Sequence, residues 1–158
     1  MSERLRAIVE ALEVRPNDDI LEIGCGHGVA ATFICQKLKG GRLLAIDKSK
    51  KMIDAAVRRN KEYIEAGKAE FHLADVMKFD PDRQRFNKIL AGRVGLLDRD
   101  EDQARRHLEK WLKPRGKILL VYDEPWHARG PSHDRMRLAP EQSTRFHVFA
   151  HLLRRERF

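Results

Sequence analysis

The sequence predicts an α/β fold: a doubly wound, mostly parallel sheet with helices on both faces. Apolar residues switch repeatedly between helical and strand spacing along the 158 residues. The candidate strands are short apolar runs separated by helix-length segments, which calls for right-handed crossovers and a sheet covered on both sides. A glycine-rich turn, Gly24-Cys25-Gly26-His27-Gly28, follows the first strand, at the end of the sheet where such folds bind ligands.

Taken in order, Leu5, Ile8, Val9 and Leu12 fall at i, i+3, i+4 and i+7 and mark an amphipathic helix. Pro16 in "RPNDD" ends it, and Ile20 to Ile23 read as a short buried strand. Helical spacing returns from Val29 to Leu38 and closes at Gly40 and Gly41, where a left-handed cap costs little. "RLLAID" is the second strand. Residues 49 to 66 read as one helix with Met52, Ile53, Ala56, Val57, Asn60, Tyr63 and Ile64 on or near one face, stopped by Gly67. "AEFHLAD" is the third strand and "FNKILAGRV" the fourth. Asp100 caps a helix from Glu101 to Leu112, "KPRG" turns the chain, and "KILLVY" is the fifth strand. In "TRFHVFAHLL", Phe146, Val148, Ala150 and Leu152 alternate like a strand, whereas Phe146, Phe149, Ala150 and Leu153 also fit a helix; the strand is preferred.

With 42% apolar and 35% charged residues the chain should fold, and residues 1–158 are expected to form one domain. "MSERLRAIVEALEV" carries charges throughout and no window is apolar enough to span a bilayer, so a cytoplasmic protein without membrane partners is expected. Cys25 and Cys35 suit neither a disulfide framework nor a zinc knuckle and should both be reduced. His147 and His151 are spaced i, i+4 without a third ligand in register, so no metal site is expected. The net charge of +8 raises the question of nucleic acid. Its basic residues are interspersed with acids, as in "DRDEDQARRHLEKWLKPRGK", which favours a solvated charged face and leaves RNA as the lesser alternative.

A dinucleotide loop wants G-x-G-x-x-G, yet Val29 stands where its last glycine should be. What stands instead is Glu22 two residues before Gly24-Cys25-Gly26-x-Gly28, with the acid Asp47 at the end of strand two. "ILEIGCGHG", "LLAIDKSKKMIDAA", "HLADVMKFD", "FNKILAGRVGLL" and "WLKPRGKILLVY" come in the order and spacing of five family motifs. In these the sequence resembles the class I S-adenosylmethionine-dependent methyltransferases from about residue 1 to 123.

The resemblance implies a Rossmann-like fold with S-adenosyl-L-methionine as cofactor and S-adenosyl-L-homocysteine as product. It assigns residues 1–122 to the cofactor-binding core and 123–158 to the substrate side. Gly24, Cys25, Gly26 and Gly28 would lie against the cofactor as bare backbone, Cys25 acting as a small filler and not a nucleophile. Glu22 would bind the ammonium group, Asp47 both ribose hydroxyls, and Lys48 would cover the adenine with its aliphatic stem. Asp75 would accept from the adenine amino group, the backbone of Val76 would meet a ring nitrogen, and Ala91 and Gly92 would line the methionine end.

On the acceptor side, Arg93 stands where the family often has Asn, and Asn87 where it often has Asp. A cation close to a sulfonium is costly unless it points away or pairs with an acidic substrate. Tyr122, Asp123, Glu124, Trp126, His127 and His133 crowd the end of strand five. His127 is the first choice of base, with Glu124 or Asp123 orienting it, and Tyr122 and Trp126 are substrate-side candidates. No N-P-P-Y-like tetrapeptide is present, so a small-molecule acceptor is favoured, with an RNA acceptor and a non-catalytic cofactor-binding subunit as alternatives. The family adds a helix and an antiparallel hairpin after strand five. A shortened end here would leave an unpaired edge open to a homodimer partner or an open substrate side.

Overall fold

A computed structural model describes residues 2–92, 101–122, 135–137 and 149–154. The elements are α1 (Ser2–Ala11), β1 (Asp19–Ile23), α2 (Val29–Lys37), β2 (Arg42–Asp47), α3 (Lys50–Arg59), α4 (Lys61–Glu65), β3 (Ala69–Leu73), β4 (Phe86–Gly92), α5 (Glu101–Glu109), β5 (Leu112–Tyr122), β6 (Arg135–Arg137) and β7 (Phe149–Arg154). They form one seven-stranded sheet of order β3-β2-β1-β4-β5-β7-β6, parallel from β3 to β5.

Strand alternation sorts the apolar residues into two cores. Ile20, Leu43, Ala45, Leu90, Leu119 and Val121 pack under α1, α2 and α3 on one face. Leu21, Ile23, Ile46, Ile89, Ile118 and Leu120 pack on the other with Leu108 of α5 and Trp111. A one-residue slip of any of these strands would exchange its two faces, so both cores fix the register together. The ends of the strands opposite the glycine turn are tied by charge. Lys88 pairs with Asp18 at 2.9 Å, both nearly sealed from solvent, and its ammonium also reaches the Glu13 carbonyl. Asn87 accepts from the Asp19 amide at 2.8 Å and from Lys113 at 3.2 Å, so it braces β1, β4 and β5.

Several boundaries differ from the sequence reading, each for a tertiary reason. The helix expected over 49–66 breaks at Asn60 (φ −108°, ψ 23°) into α3 and α4, because the Asn60 side chain is spent on neighbouring carbonyls. No left-handed glycine cap closes α2; the amides of Lys39, Gly40 and Gly41 all converge on the Pro16 carbonyl instead. Gly41 is bare because a Cβ there would stand 2.1 Å from the Asp18 carbonyl oxygen. "KPRG" is no free turn but a bulge inside β5, with Phe86 facing Leu112 and Lys88 facing Lys117. Arg115 takes the left-handed backbone conformation within it (φ 63°).

Phe149–Arg154 is a strand, antiparallel to β5, and β6 pairs with it in turn. The edge of β5 is therefore covered by β7, and the outermost strand among the described residues on that side is β6, of only three residues.

Candidate functional site

Strand order reverses between β1 and β4, and the ends of β1, β2 and β4, with the turn that follows β1, line a cavity of about 270 Å³ there. Glu22, Gly24, Cys25, Gly26, Asp47 and Gly92 line it. The parallel register sets Glu22 beside Ala45 and Ile23 beside both Ile46 and Ala91, so consecutive strands deliver their last residues to one level.

The glycine turn is held to β2 by its backbone. The amides of Gly24 and Cys25 donate to the Ile46 carbonyl at 2.9 and 3.1 Å, and the Gly26 amide donates to Asp47 Oδ2 at 2.9 Å. Gly24 (φ 76°) and Gly26 (φ 54°) need the left-handed conformation, and a Cβ on Gly26 would meet nothing within 4 Å. Gly28 differs. Its Cβ would stand 2.5 Å from Asn60 Nδ2 and 3.0 Å from the Ala56 backbone, so α3 requires its bareness, and it does not line the cavity.

Two carboxylates face this bare backbone. Asp47 accepts from Gly26 with Oδ2 and from the Ser49 amide with Oδ1 at 2.8 Å, which leaves each oxygen a further lone pair. Glu22 is 4% exposed, and its Oε2 has no hydrogen-bond partner among the described residues. Loss of solvent, then the nearby Asp47 charge, push the Glu22 carboxyl up to about 8. A buried acceptor without a donor is costly unless a ligand supplies one. Cys25 is buried beneath the turn, and desolvation, then Glu22 and Asp47, push its thiol far up, so it is a neutral filler.

The other expected positions lie around this end of the sheet. Lys48 is exposed directly after β2. Asp75 is exposed after β3, and its Oδ1 accepts from the Met77 amide at 2.9 Å in a local turn. Val76 is buried in the second core, and its carbonyl lies 3.1 Å from His107 Nε2. The Ala91 side chain also belongs to that second core, so only its backbone is on offer to the cavity side. Tyr122 is the last residue of β5. Arg93, Asp123, Glu124, Trp126, His127, His133 and His147 lie outside the described residues.

Two groups escaped the sequence reading. Arg4, Leu5 and Ile8 of α1 line the cavity and cover it; their helical spacing was visible, but not what the helix packs on. Asn60 is wholly buried and donates through Nδ2 to the Gly28 and Ala56 carbonyls at 3.0 and 2.9 Å, while its Oδ1 accepts from the Thr32 hydroxyl at 2.8 Å. Arg59 Nε donates to the His27 carbonyl at 3.0 Å. The end of α3 thus grips the turn from below, and the available signal was a polar residue on an otherwise apolar helix face.

Comparison with known proteins bears on what this end of the sheet binds. Residues 20–116 match the methyltransferase domain family. The putative methyltransferase YrhH of Bacillus subtilis (strain 168) is 30% identical over 116 residues, covering 73% of this chain and 63% of that protein. Phosphoethanolamine N-methyltransferase 1 of Zea mays is 32% identical over 123 residues, which are 75% of this chain but 23% of the plant enzyme. The chain therefore spans only part of the length of these relatives. An S-adenosylmethionine-dependent methyltransferase from Thiobacillus denitrificans, solved in complex with S-adenosyl-L-homocysteine, shares the fold with a TM-score of 0.65 at 21% identity, over 77% of this chain and 48% of that one. Sheet order, switch-point cavity and family match together show that this chain belongs to the class I S-adenosylmethionine-dependent methyltransferases, with their Rossmann-like fold and S-adenosylmethionine as cofactor.

Proposed function

We propose that this chain transfers a methyl group from S-adenosylmethionine to a small-molecule acceptor. The observation that carries the reading is Glu22 Oε2, a buried acceptor in the wall of the cavity without a partner among the described residues. It is the counter-charge that the ammonium group of the cofactor needs, and ionising Glu22 there satisfies both groups. Asp47 fits equally, since its two oxygens retain lone pairs for the ribose hydroxyls after serving Gly26 and Ser49. Gly24 and Gly26 admit the ligand against backbone, Gly92 borders its methionine end, and Leu5 and Ile8 of α1 exclude water. Lys48, Asp75 and the backbone of Val76 are the adenine-side residues of this reading, and Ala91 contributes by backbone alone.

When bound, the cofactor supplies a methyl carbon already activated by its sulfonium. The chain's own share is therefore alignment and dryness, with a base needed only where the acceptor must lose a proton early. His127, oriented by Glu124, is the candidate for that proton, and Arg93, Tyr122 and Trp126 are the candidates for acceptor contact. A small acceptor is supported by the phosphoethanolamine enzyme among the relatives, on whose name alone the substrate class rests.

Calorimetry with S-adenosylmethionine and S-adenosylhomocysteine tests the cofactor site, and Glu22→Gln should weaken both. Binding of NAD with neither of these bound would overturn the reading. Binding of both without methyl transfer to any member of a broad acceptor panel would mark a non-catalytic subunit.

A further inference from the structure

The end of the sheet away from the cofactor cavity carries a second hollow, of about 430 Å³, where the N-terminal ends of β1, β2 and β3 meet the segment leading into β4. Its walls bring cations together from separate parts of the chain: Arg42 opening β2, Lys68 just before β3, Arg83 and Arg85 ahead of β4, and Lys113 in β5. Among the described residues, two acids line it. Asp19 is taken by Lys113 at 2.6 Å, and Glu70 lies 3.4 Å from His72.

Two of the cations are held in place by neutral groups. Lys68 Nζ donates to the Leu38 carbonyl at 3.0 Å, and Arg85 Nη1 donates to the carbonyls of Asp82 and Gln84 at 2.9 and 2.7 Å. These bonds orient the heads and leave their charge uncompensated. The side chains of Arg42 and Arg83 make no hydrogen bond or ion pair with any described residue. Buried Leu43, Ala69 and Phe86 form an apolar floor.

Like charges gathered around one concave surface repel one another, and a multivalent anion between them relieves the repulsion. Guanidinium forks match the oxygens of a phosphoryl group, and the excess of cations over acids in the lining favours a dianion over a carboxylate. The volume is that of a small-ligand site. We propose that this hollow binds a small phosphorylated molecule, independently of the cofactor site at the other end of the sheet.

Calorimetric titration of the full chain with inorganic pyrophosphate should give saturable one-to-one binding. Arg42→Gln and Arg83→Gln should each weaken it about tenfold, the effect of one charge-assisted hydrogen bond. Affinity for S-adenosylhomocysteine should stay unchanged in both variants, which shows them folded. Absence of saturable binding, or its survival in the double variant, would overturn the proposal. So would a single-stranded RNA oligomer that binds through Arg42 and Arg83 while pyrophosphate does not, because the hollow would then be part of a polymer surface.

Discussion

Asn60 Nδ2 donates to the Gly28 carbonyl at 3.0 Å, so the residue that breaks the helical run after β2 is the one that fixes the end of the glycine turn. Asn60 is fully buried and serves Gly28, Ala56 and Thr32 at once. Asn60→Ala would remove three side-chain hydrogen bonds from this buried set, while the Gly28 carbonyl keeps Thr32 and the Ala56 carbonyl keeps the amide of residue 60. A loss of about 2 kcal/mol is expected, the usual cost of breaking a buried hydrogen-bonded set, read by urea denaturation.

The glycines on either side of His27 should fail in different ways. Gly28→Ala drives a methyl into Asn60 and Ala56 at a left-handed φ of 74°, and should cost about 3 kcal/mol of stability through overlap and strain together. Gly26→Ala puts its methyl into open space at φ 54° and should cost only about 1 kcal/mol. If the cavity holds the cofactor, Gly26→Ala should nevertheless lose the larger share of S-adenosylhomocysteine affinity. Equal losses of stability in the two variants would contradict this division of roles.

Much of this was legible in the sequence because buried parallel strands are written as short apolar runs. Ile20 to Ile23, "RLLAID" and "KILLVY" could hardly be anything else, and their order placed Glu22 and Asp47 at one end of the sheet. What the sequence hid were contacts between distant segments. Asn60 looked like one more position on an apolar helix face, because nothing local says that the Gly28 carbonyl, 32 residues earlier, is its acceptor. Gly41 looked like a cap because the approach of Asp18 is a tertiary fact. The same holds for Leu5 and Ile8, whose helical period says that they are buried but not that a ligand cavity lies beneath them.

Cys25 should be chemically silent in spite of its place in the turn. Its thiol is buried, and burial together with Glu22 and Asp47 pushes it well above the ordinary thiol range; burial, then Glu22, pushes Cys35 up to about 12. Both should stay unmodified by a thiol-specific disulfide reagent in the native protein at pH 8 and react together once the chain is unfolded. Rapid native modification of Cys25 alone would show a thiolate that this environment does not support.

Glu22 makes stability and ligand binding depend on pH in opposite senses. Its carboxyl sits at about 8 in the folded chain against 4.5 for an ordinary glutamate, so the folded form holds a proton that the unfolded form has lost. Stability from this group is complete below pH 4.5, falls as pH rises, and levels off above about 8, an effect of several kcal/mol at most. Glu22→Gln should flatten that fall in denaturation curves taken across this range. If Glu22 holds the cofactor's ammonium group, binding must ionise it, so at pH 6.5 uptake of S-adenosylhomocysteine should release about one proton per molecule bound. Calorimetry in buffers of different ionisation enthalpy measures that proton directly. Glu22→Gln should abolish the release; its persistence in the variant would assign the proton to another group and remove Glu22 from the binding site.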